Sequence, residues 1–206
     1  MAGLIGDART YLAELDAQNT REWFTAQKAR YETALRDPAL ALLETLAPQI
    51  AEMAGAPVTT KLFRPQRDVR FSRDKTPYHT HLHMMWSAPG GCGWFFGIAP
   101  SHATAGAGVM TLEGAALDRW RAAVDSAEGA QLQAAVAQGG WRVDEPALKR
   151  VPAPYPADHP RGALLRHKGF VVWQDGLADA TGAADLAAIF AAMAPVTKWL
   201  GDHVLD

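Results

Sequence analysis

Apolar side chains recur at helical spacing in the first quarter of the chain. Through residues 4–15 they fall three or four positions apart, which predicts an amphipathic first helix. Asn19-Thr20-Arg21-Glu22 resembles a capping box, so we expect a second helix in which Asn19 accepts a hydrogen bond from a free backbone N–H. Asp37-Pro38 favours the start of a third helix. Pro48 lies inside the apolar stripe of that helix and is expected to kink or split it.

After residue 57 the pattern changes to short runs of β-branched and aromatic residues separated by turn residues. We predict strands over residues 58–63, 79–88, 94–99 and 102–110, the last of them Gly-rich and bulged. Short strands that follow one another through tight turns favour an antiparallel meander over βαβ units.

Helical spacing returns in the last part of the chain. Helices are predicted over residues 113–125 and 127–138, a strand over residues 170–173, and a last helix that Pro195 kinks. These elements predict an α+β fold, in which an antiparallel sheet, a meander of about four to six strands, is packed by N-terminal and C-terminal helices.

We expect one α+β domain over residues 1–206, because neither a repeat nor a low-complexity linker divides the chain. It would consist of a helical N-terminal third (1–57), a sheet-rich middle (58–111) and a mixed helical C-terminal part (112–206). Hydrophobic residues make up 49% of the chain, and seven of them are Trp, which is enough for a sizeable core and argues against disorder.

The single cysteine, Cys92, cannot form an internal disulfide, and this favours a reducing compartment. No apolar run approaches the ~18 residues of a membrane span. The first residues also lack the apolar segment of a signal peptide. We therefore expect a cytoplasmic protein without a membrane partner.

The densest group of ionisable residues lies in residues 61–83. Six Lys or Arg and two Asp fall in this window, a local balance of +4, whereas the whole chain carries −2 at pH 7. The rest of the chain therefore carries −6 and would repel a polyanion, which disfavours nucleic acid as a partner. The expected partner is an anionic small molecule, phosphorylated or carboxylated, because Arg guanidinium groups match the oxygens of either group.

We assign ligand binding to six residues of this window: Arg64, Arg67, Arg70, Asp74, Lys75 and Tyr78. Asp68 and His81 are the candidates for proton transfer, and hence for catalysis. Two alternatives stay open. The segment could be an internal salt-bridge network in a non-catalytic structural or interaction protein, although two Asp cannot neutralise six cations. It could also be a solvated charged face.

His79, His81 and His83 alternate, so on a strand their imidazoles would project from one face. Neutral imidazoles are ligands for zinc, copper or iron, but neighbours on one strand rarely complete a tetrahedral site without a second element. We therefore favour a solvated histidine face and assign no metal. Gly106-Ala107-Gly108 lacks the third glycine of a dinucleotide-binding loop, so no cofactor is assigned either.

The segment from Arg64 to Tyr78 reads Arg-x-x-Arg-Asp-x-Arg-Phe-x-x-Asp-Lys-x-x-Tyr. It resembles the signature of a bacterial family of conserved hypothetical proteins, domain of unknown function family 2461. The similarity extends across most of the chain, to Asn19, Glu22-Trp23-Phe24, Lys28, Tyr31, Pro152, His159-Pro160, Leu164-Leu165-Arg166 and Lys168. The resemblance implies that the arginine segment matters in this family. It implies no substrate and no activity.

Overall fold

Helices form the first and last parts of the chain. The computed structural model describes residues 3–205. The α-helices in that part are α1 (Leu4–Ala17), α2 (Arg21–Ala26), α3 (Lys28–Tyr31), α4 (Asp37–Ala54), α5 (Gly114–Asp125), α6 (Glu128–Gly139), α7 (Gly162–Leu165), α8 (Ala183–Ala192) and α9 (Ala194–His203). A π-helical segment, Glu32–Arg36, joins α3 to α4, and a short 3-10 turn spans Pro89–Gly91.

One antiparallel sheet of six strands packs against these helices. Its strands are β1 (Thr59–Leu62), β2 (Leu82–Ser87), β3 (Gly93–Ile98), β4 (Ala103–Val109), β5 (Arg142–Val143) and β6 (Phe170–Gln174). They lie in the order β1-β2-β3-β4-β6-β5, and every neighbouring pair is antiparallel. The first four strands form a meander. The predicted α+β fold is therefore confirmed.

The two faces of the sheet differ. Met84 pairs with Phe96 and Trp86 with Trp94 across β2 and β3, and all four side chains are buried on the helix-covered face. The indole N–H of Trp86 donates to the backbone oxygen of Leu43 in α4, at 2.9 Å, so the sheet and α4 share one core. On the opposite face, His83 is the cross-strand partner of Gly97 and is exposed.

Two predictions about the helices need correction, and a third is confirmed with one difference. Thr20, not Asn19, caps α2, because the Thr20 hydroxyl accepts from the backbone N–H of Trp23 at 3.2 Å. The predicted helix does begin at Asp37, as α4, with Pro38 in its first turn, but the π-helical segment joins it to α3 without an interruption. Pro48 does not split α4, which continues to Ala54.

The C-terminal prediction is confirmed, since a bend of 50° separates α8 from α9 next to Pro195. Neither helix, nor any other single helix between residues 3 and 205, is long and apolar enough to cross a membrane; the bent pair passes that test only when taken together.

The Gly-rich strand β4 is regular rather than bulged. Its pairing runs without a break against β3 and against β6. Gly108 has a φ of +145°, and a Cβ built on it would lie 2.1 Å from the backbone oxygen of Phe170. Glycine is required there by the close approach of β6.

Candidate functional site

Most of the basic segment is an irregular hairpin that extends the β1–β2 pair away from the sheet. Gln66 and Tyr78 face each other in an antiparallel bridge. The backbone N–H of Arg67 donates to Pro77 O at 2.9 Å, and that of His79 donates to Pro65 O at 2.7 Å. We call residues 65–79 the arginine hairpin. The predicted strand over residues 79–88 consequently begins only at Leu82.

Local ion pairs hold the far end of the arginine hairpin. Arg70 and Asp68 form a bidentate pair, with Nη2 to Oδ2 at 2.6 Å and Nε to Oδ1 at 2.9 Å. Lys75 Nζ donates to the backbone oxygen of Val69 at 2.9 Å. These side chains are exposed, so water and salt screen their contacts, which add little to stability. Their role is to shape the tip.

The tip presents Phe71 to solvent. Its side chain is 95% exposed, more than that of any other large hydrophobic residue between residues 3 and 205. The Arg70 guanidinium carbon lies 6.0 Å from the centre of its ring.

Tyr78 anchors the base of the arginine hairpin to the N-terminal helices. The Asn19 side chain donates to Tyr78 O at 2.9 Å and accepts from Tyr78 N–H at 3.1 Å. The buried Tyr78 ring stacks on Phe24, with centroids 4.0 Å apart and planes 13° from parallel. Asn19 therefore joins helix and hairpin instead of capping a helix.

A polar cleft of about 370 Å³ lies beside this anchor. We call it the Arg67 cleft. It is lined by Asp16, Asn19, Arg67, Asp74, Thr76, Tyr78, His79, Thr80 and His81. Four residues assigned from the sequence meet here, namely Arg67, Asp74, Tyr78 and His81.

The other assigned residues lie elsewhere. Asp68, Arg70 and Lys75 belong to the exposed tip. Arg64 lines a separate pocket on α2–α4. The geometric reason is the irregular backbone of the arginine hairpin, which points successive arginines in different directions.

Arg67 is the central cation of the cleft. Its side chain is 22% exposed, and Nη1 donates to Asp74 Oδ2 at 2.5 Å, to Thr76 O at 3.1 Å and to the Thr76 hydroxyl. Within residues 3–205, Nε and Nη2 have no hydrogen-bond partner. One edge of the guanidinium fork is thus held in place while the rest is available to a ligand.

Asp74 is the fixed counterion of Arg67. The backbone N–H of Thr76, then Arg67 and the Thr76 hydroxyl, lower the pKa of Asp74 to about 2. Asp74 is therefore ionised at neutral pH, and its negative charge holds Nη1 of Arg67.

Burial, more than neighbouring charge, lowers the pKa values of the histidines at the cleft. Burial lowers the pKa of His79, and the charges of Arg67 and Arg64 lower it further. Burial and His79 lower the pKa of His81. Both imidazoles are consequently neutral at pH 7, and each can donate one N–H hydrogen bond.

The rings of the three alternating histidines contact one another in a row, which we call the histidine stack: His79 and His81 are tilted, and His81 and His83 are stacked. Ring centroids are 4.7 Å apart for His79 and His81, and 3.9 Å apart for His81 and His83. Stacked rings present faces to one another and do not direct their nitrogens at one point. In the described part of the chain, no group of three or more His, Cys, Asp or Glu is placed to hold a metal ion.

Sequence reasoning assigned no ligand-binding role to Asp16, Asn19, Thr76, His79 or Thr80, all of which line the cleft. A local signal existed for Thr76, His79 and Thr80, because they border the arginine segment. Asp16 and Asn19 lie about sixty positions away in sequence, so only the tertiary structure brings them there.

Comparison with known proteins gives a family and nothing more specific. A model of the family described as "Conserved hypothetical protein (DUF2461)" matches residues 7–199. Neither a curated protein nor a solved structure matches the chain. The match covers the sheet, the arginine hairpin and all of the helices except the start of α1 and the end of α9. The chain therefore belongs to the DUF2461 family of conserved hypothetical proteins.

Proposed function

We propose that the protein binds a small anionic molecule, phosphorylated or carboxylated, in the Arg67 cleft. One observation carries this proposal: Arg67 is oriented by Asp74 and Thr76 through Nη1, and its Nε and Nη2 remain available. Because the guanidinium group is already held in one orientation, it loses little further conformational entropy when it binds two oxygens of an anion.

The neighbours of Arg67 would bind polar substituents of the anion and add no positive charge, because the other charged side chains that line the cleft, Asp16 and Asp74, are carboxylates. His79 and His81 supply neutral N–H donors, and Thr80 supplies a hydroxyl. The Asp16 carboxylate on the same cleft would accept a hydrogen bond from a hydroxyl or amine of the ligand. A cleft of about 370 Å³ suits a compact molecule.

A catalytic role would fall to His81 rather than to Asp68. His81 lines the cleft, and its lowered pKa keeps it neutral and able to accept a proton at pH 7. Asp68 is engaged by Arg70 at the tip, where the guanidinium lowers the pKa of its carboxyl. Proton transfer by His81 is thus the finer part of the proposal.

The alternative of an internal salt-bridge network is less favoured by the geometry. Both acids of the segment pair with arginines of the same hairpin, and Asp68, Asp74 and Arg70 are exposed. The contacts that join the hairpin to the helices are the Asn19 hydrogen bonds and the Tyr78–Phe24 stack. Ion pairing is therefore not the main attachment.

The test compares Arg67→Lys with Arg73→Lys. Lysine at 67 keeps the positive charge and can reach Asp74 but lacks the fork, whereas Arg73 has no ion pair within residues 3–205 and does not line the cleft. We expect inorganic phosphate, pyrophosphate or citrate to shift the NMR signals of His79 and His81. Arg67→Lys should weaken this binding about tenfold, the loss of one charge-assisted hydrogen bond. Arg73→Lys should bind like the wild type.

Two results would contradict the proposal. One is the absence of His79 and His81 shifts with all three anions at millimolar concentration. The other is equal anion affinity in Arg67→Lys and the wild type. A melting temperature measured without ligand checks that both variants are folded.

A further inference from the structure

A second pocket lies on the other side of the base of the arginine hairpin. It occupies about 380 Å³ between the helical segment from α2 to α4 and the end of β1. We call it the Arg64 pocket. It shares no lining residue with the Arg67 cleft. The stacked rings of Phe24, which lines the pocket, and Tyr78, which lines the cleft, stand between them.

The interior of the Arg64 pocket is largely apolar and aromatic. Its walls include Leu62 and the rings of Phe24 and Tyr31, whose centroids are 5.3 Å apart. Two further lining residues, Leu40 and Phe63, are 42% and 38% exposed. They are two of only four large hydrophobic residues that are exposed between residues 3 and 205. Exposed apolar side chains gathered in one concavity are typical of binding sites.

Cations without partners border this apolar surface. Lys28 and Arg64 both line the pocket, and within residues 3–205 neither forms an ion pair or a side-chain hydrogen bond. The third cation, Arg36, is already paired with Glu32 at 2.6 Å and with Asp37 at 2.9 Å. The pocket therefore has two positive charges that no carboxylate of the described chain neutralises by contact.

The helix that carries these groups is irregular at this point. Glu32 and Arg36, the ends of the π-helical segment, both line the pocket. Single π-helical turns inside α-helices are rare and are frequent at functional sites. The irregularity coincides with the exposed Leu40 and the unpaired Lys28 on either side of it.

We propose that the Arg64 pocket binds a carboxylate with a small apolar or aromatic body. The apolar body would displace water from Phe63, Leu40 and Leu62, and Arg64 and Lys28 would hold the carboxylate. A phosphate ion has no apolar part that could displace water from the apolar walls. A neutral apolar molecule would form no ion pair with Arg64 or Lys28. The Arg64 pocket shares no lining residue with the Arg67 cleft, so the inference does not depend on the function proposed for that cleft.

Phenylacetate and its neutral isostere phenylacetamide are suitable probes. We expect millimolar phenylacetate to shift the methyl signals of Leu40 and Leu62, and phenylacetamide to bind at least about fivefold more weakly, because the charged contact is lost. Arg64→Gln should weaken phenylacetate about tenfold. Leu40→Gln should also weaken it, because the apolar wall is reduced.

Arg73→Gln is the matched control, since Arg73 is another arginine of the segment that has no ion pair within residues 3–205 and lies outside the pocket. It should bind phenylacetate like the wild type. Equal affinity for phenylacetate and phenylacetamide would overturn the proposal, as would the absence of Leu40 and Leu62 shifts. Equal losses in Arg64→Gln and Arg73→Gln would overturn it too. Arg64 makes no ion pair with the described residues, so Arg64→Gln is expected to fold, and its melting temperature verifies this.

Discussion

The side-chain amide of Asn19 forms two hydrogen bonds with the backbone of Tyr78, although the two residues are 59 positions apart. One carboxamide thus satisfies both the N–H and the C=O of a residue at the base of the arginine hairpin. The pair fixes the hairpin on the loop between α1 and α2. It also brings Asn19 to the Arg67 cleft.

Replacing Asn19 by Ala should destabilise the protein. Both hydrogen bonds are partly buried, and their loss leaves the Tyr78 backbone groups without these partners. We expect the free energy of unfolding to fall by about 1–3 kcal/mol, measured by urea denaturation. Gln18→Ala, at an exposed neighbour without a side-chain hydrogen bond to the described residues, should change it by less than about 0.5 kcal/mol. Equal effects of the two substitutions would show that the Asn19 contact does not stabilise the fold.

The Tyr78 ring should contribute more to the free energy of unfolding than the Tyr78 hydroxyl does. The hydroxyl has no hydrogen bond to the described residues, whereas the ring is stacked on Phe24 at 4.0 Å. Tyr78→Phe should therefore keep the free energy of unfolding within about 0.5 kcal/mol of the wild-type value. Tyr78→Leu should lower it by about 1–3 kcal/mol, because it removes the aromatic pair and changes the shape of the core. Comparable losses in both variants would assign the stabilisation to the hydroxyl.

Acidification should destabilise the histidine stack. One side of the His83 ring is exposed, and the other lies over Gly97 and against His81. The desolvation of this covered side, with smaller effects of His81, His79 and His102, lowers the pKa of His83 from 6.5 to about 4. The unfolded chain then binds a proton more readily than the folded one. The contribution of the neutral His83 ring to the free energy of unfolding is complete above pH 6.5 and is lost as the pH falls from 6.5 towards 4.

His83→Phe provides the comparison, because Phe keeps an aromatic ring over Gly97 but does not titrate. Melting temperatures should be measured from neutral pH down to about 4, the lowered pKa of His83. Over this range they should fall less steeply for His83→Phe than for the wild type. Parallel curves would mean that His83 does not contribute to the acid sensitivity. Asp74, whose lowered pKa is about 2, titrates below this range.

Gly108→Ala should destabilise the sheet strongly. The added Cβ would lie 2.1 Å from Phe170 O, which belongs to the backbone of the neighbouring strand and cannot rotate away. We expect a loss of more than about 3 kcal/mol, or no folded protein. Gly201→Ala is the control: it lies inside α9, and a Cβ added there would have no described neighbour within 4 Å beyond its own stretch of helix. Alanine at this position should stabilise the fold by up to about 1 kcal/mol in urea denaturation.

Local patterns in the sequence determined most of the elements. Helical spacing predicted α1 and the helices after residue 112, β-branched and aromatic runs predicted the meander, and Pro195 predicted the bend between α8 and α9. Such patterns succeed because helix and strand periods are set by neighbours within a few residues. The basic segment was visible for the same reason, since its charges are adjacent in sequence.

Only the tertiary structure decided how these charges are used. It placed Arg67 in a cleft with Asp16 and Asn19, turned Arg64 towards the aromatic pocket, and left Arg70 paired at an exposed tip. Spacing could not show this, because the segment is an irregular hairpin whose side-chain directions follow from long-range contacts such as that between Asn19 and Tyr78. The number of cations is a property of the sequence. Their separation between the Arg67 cleft, the Arg64 pocket and the exposed tip is a property of the fold.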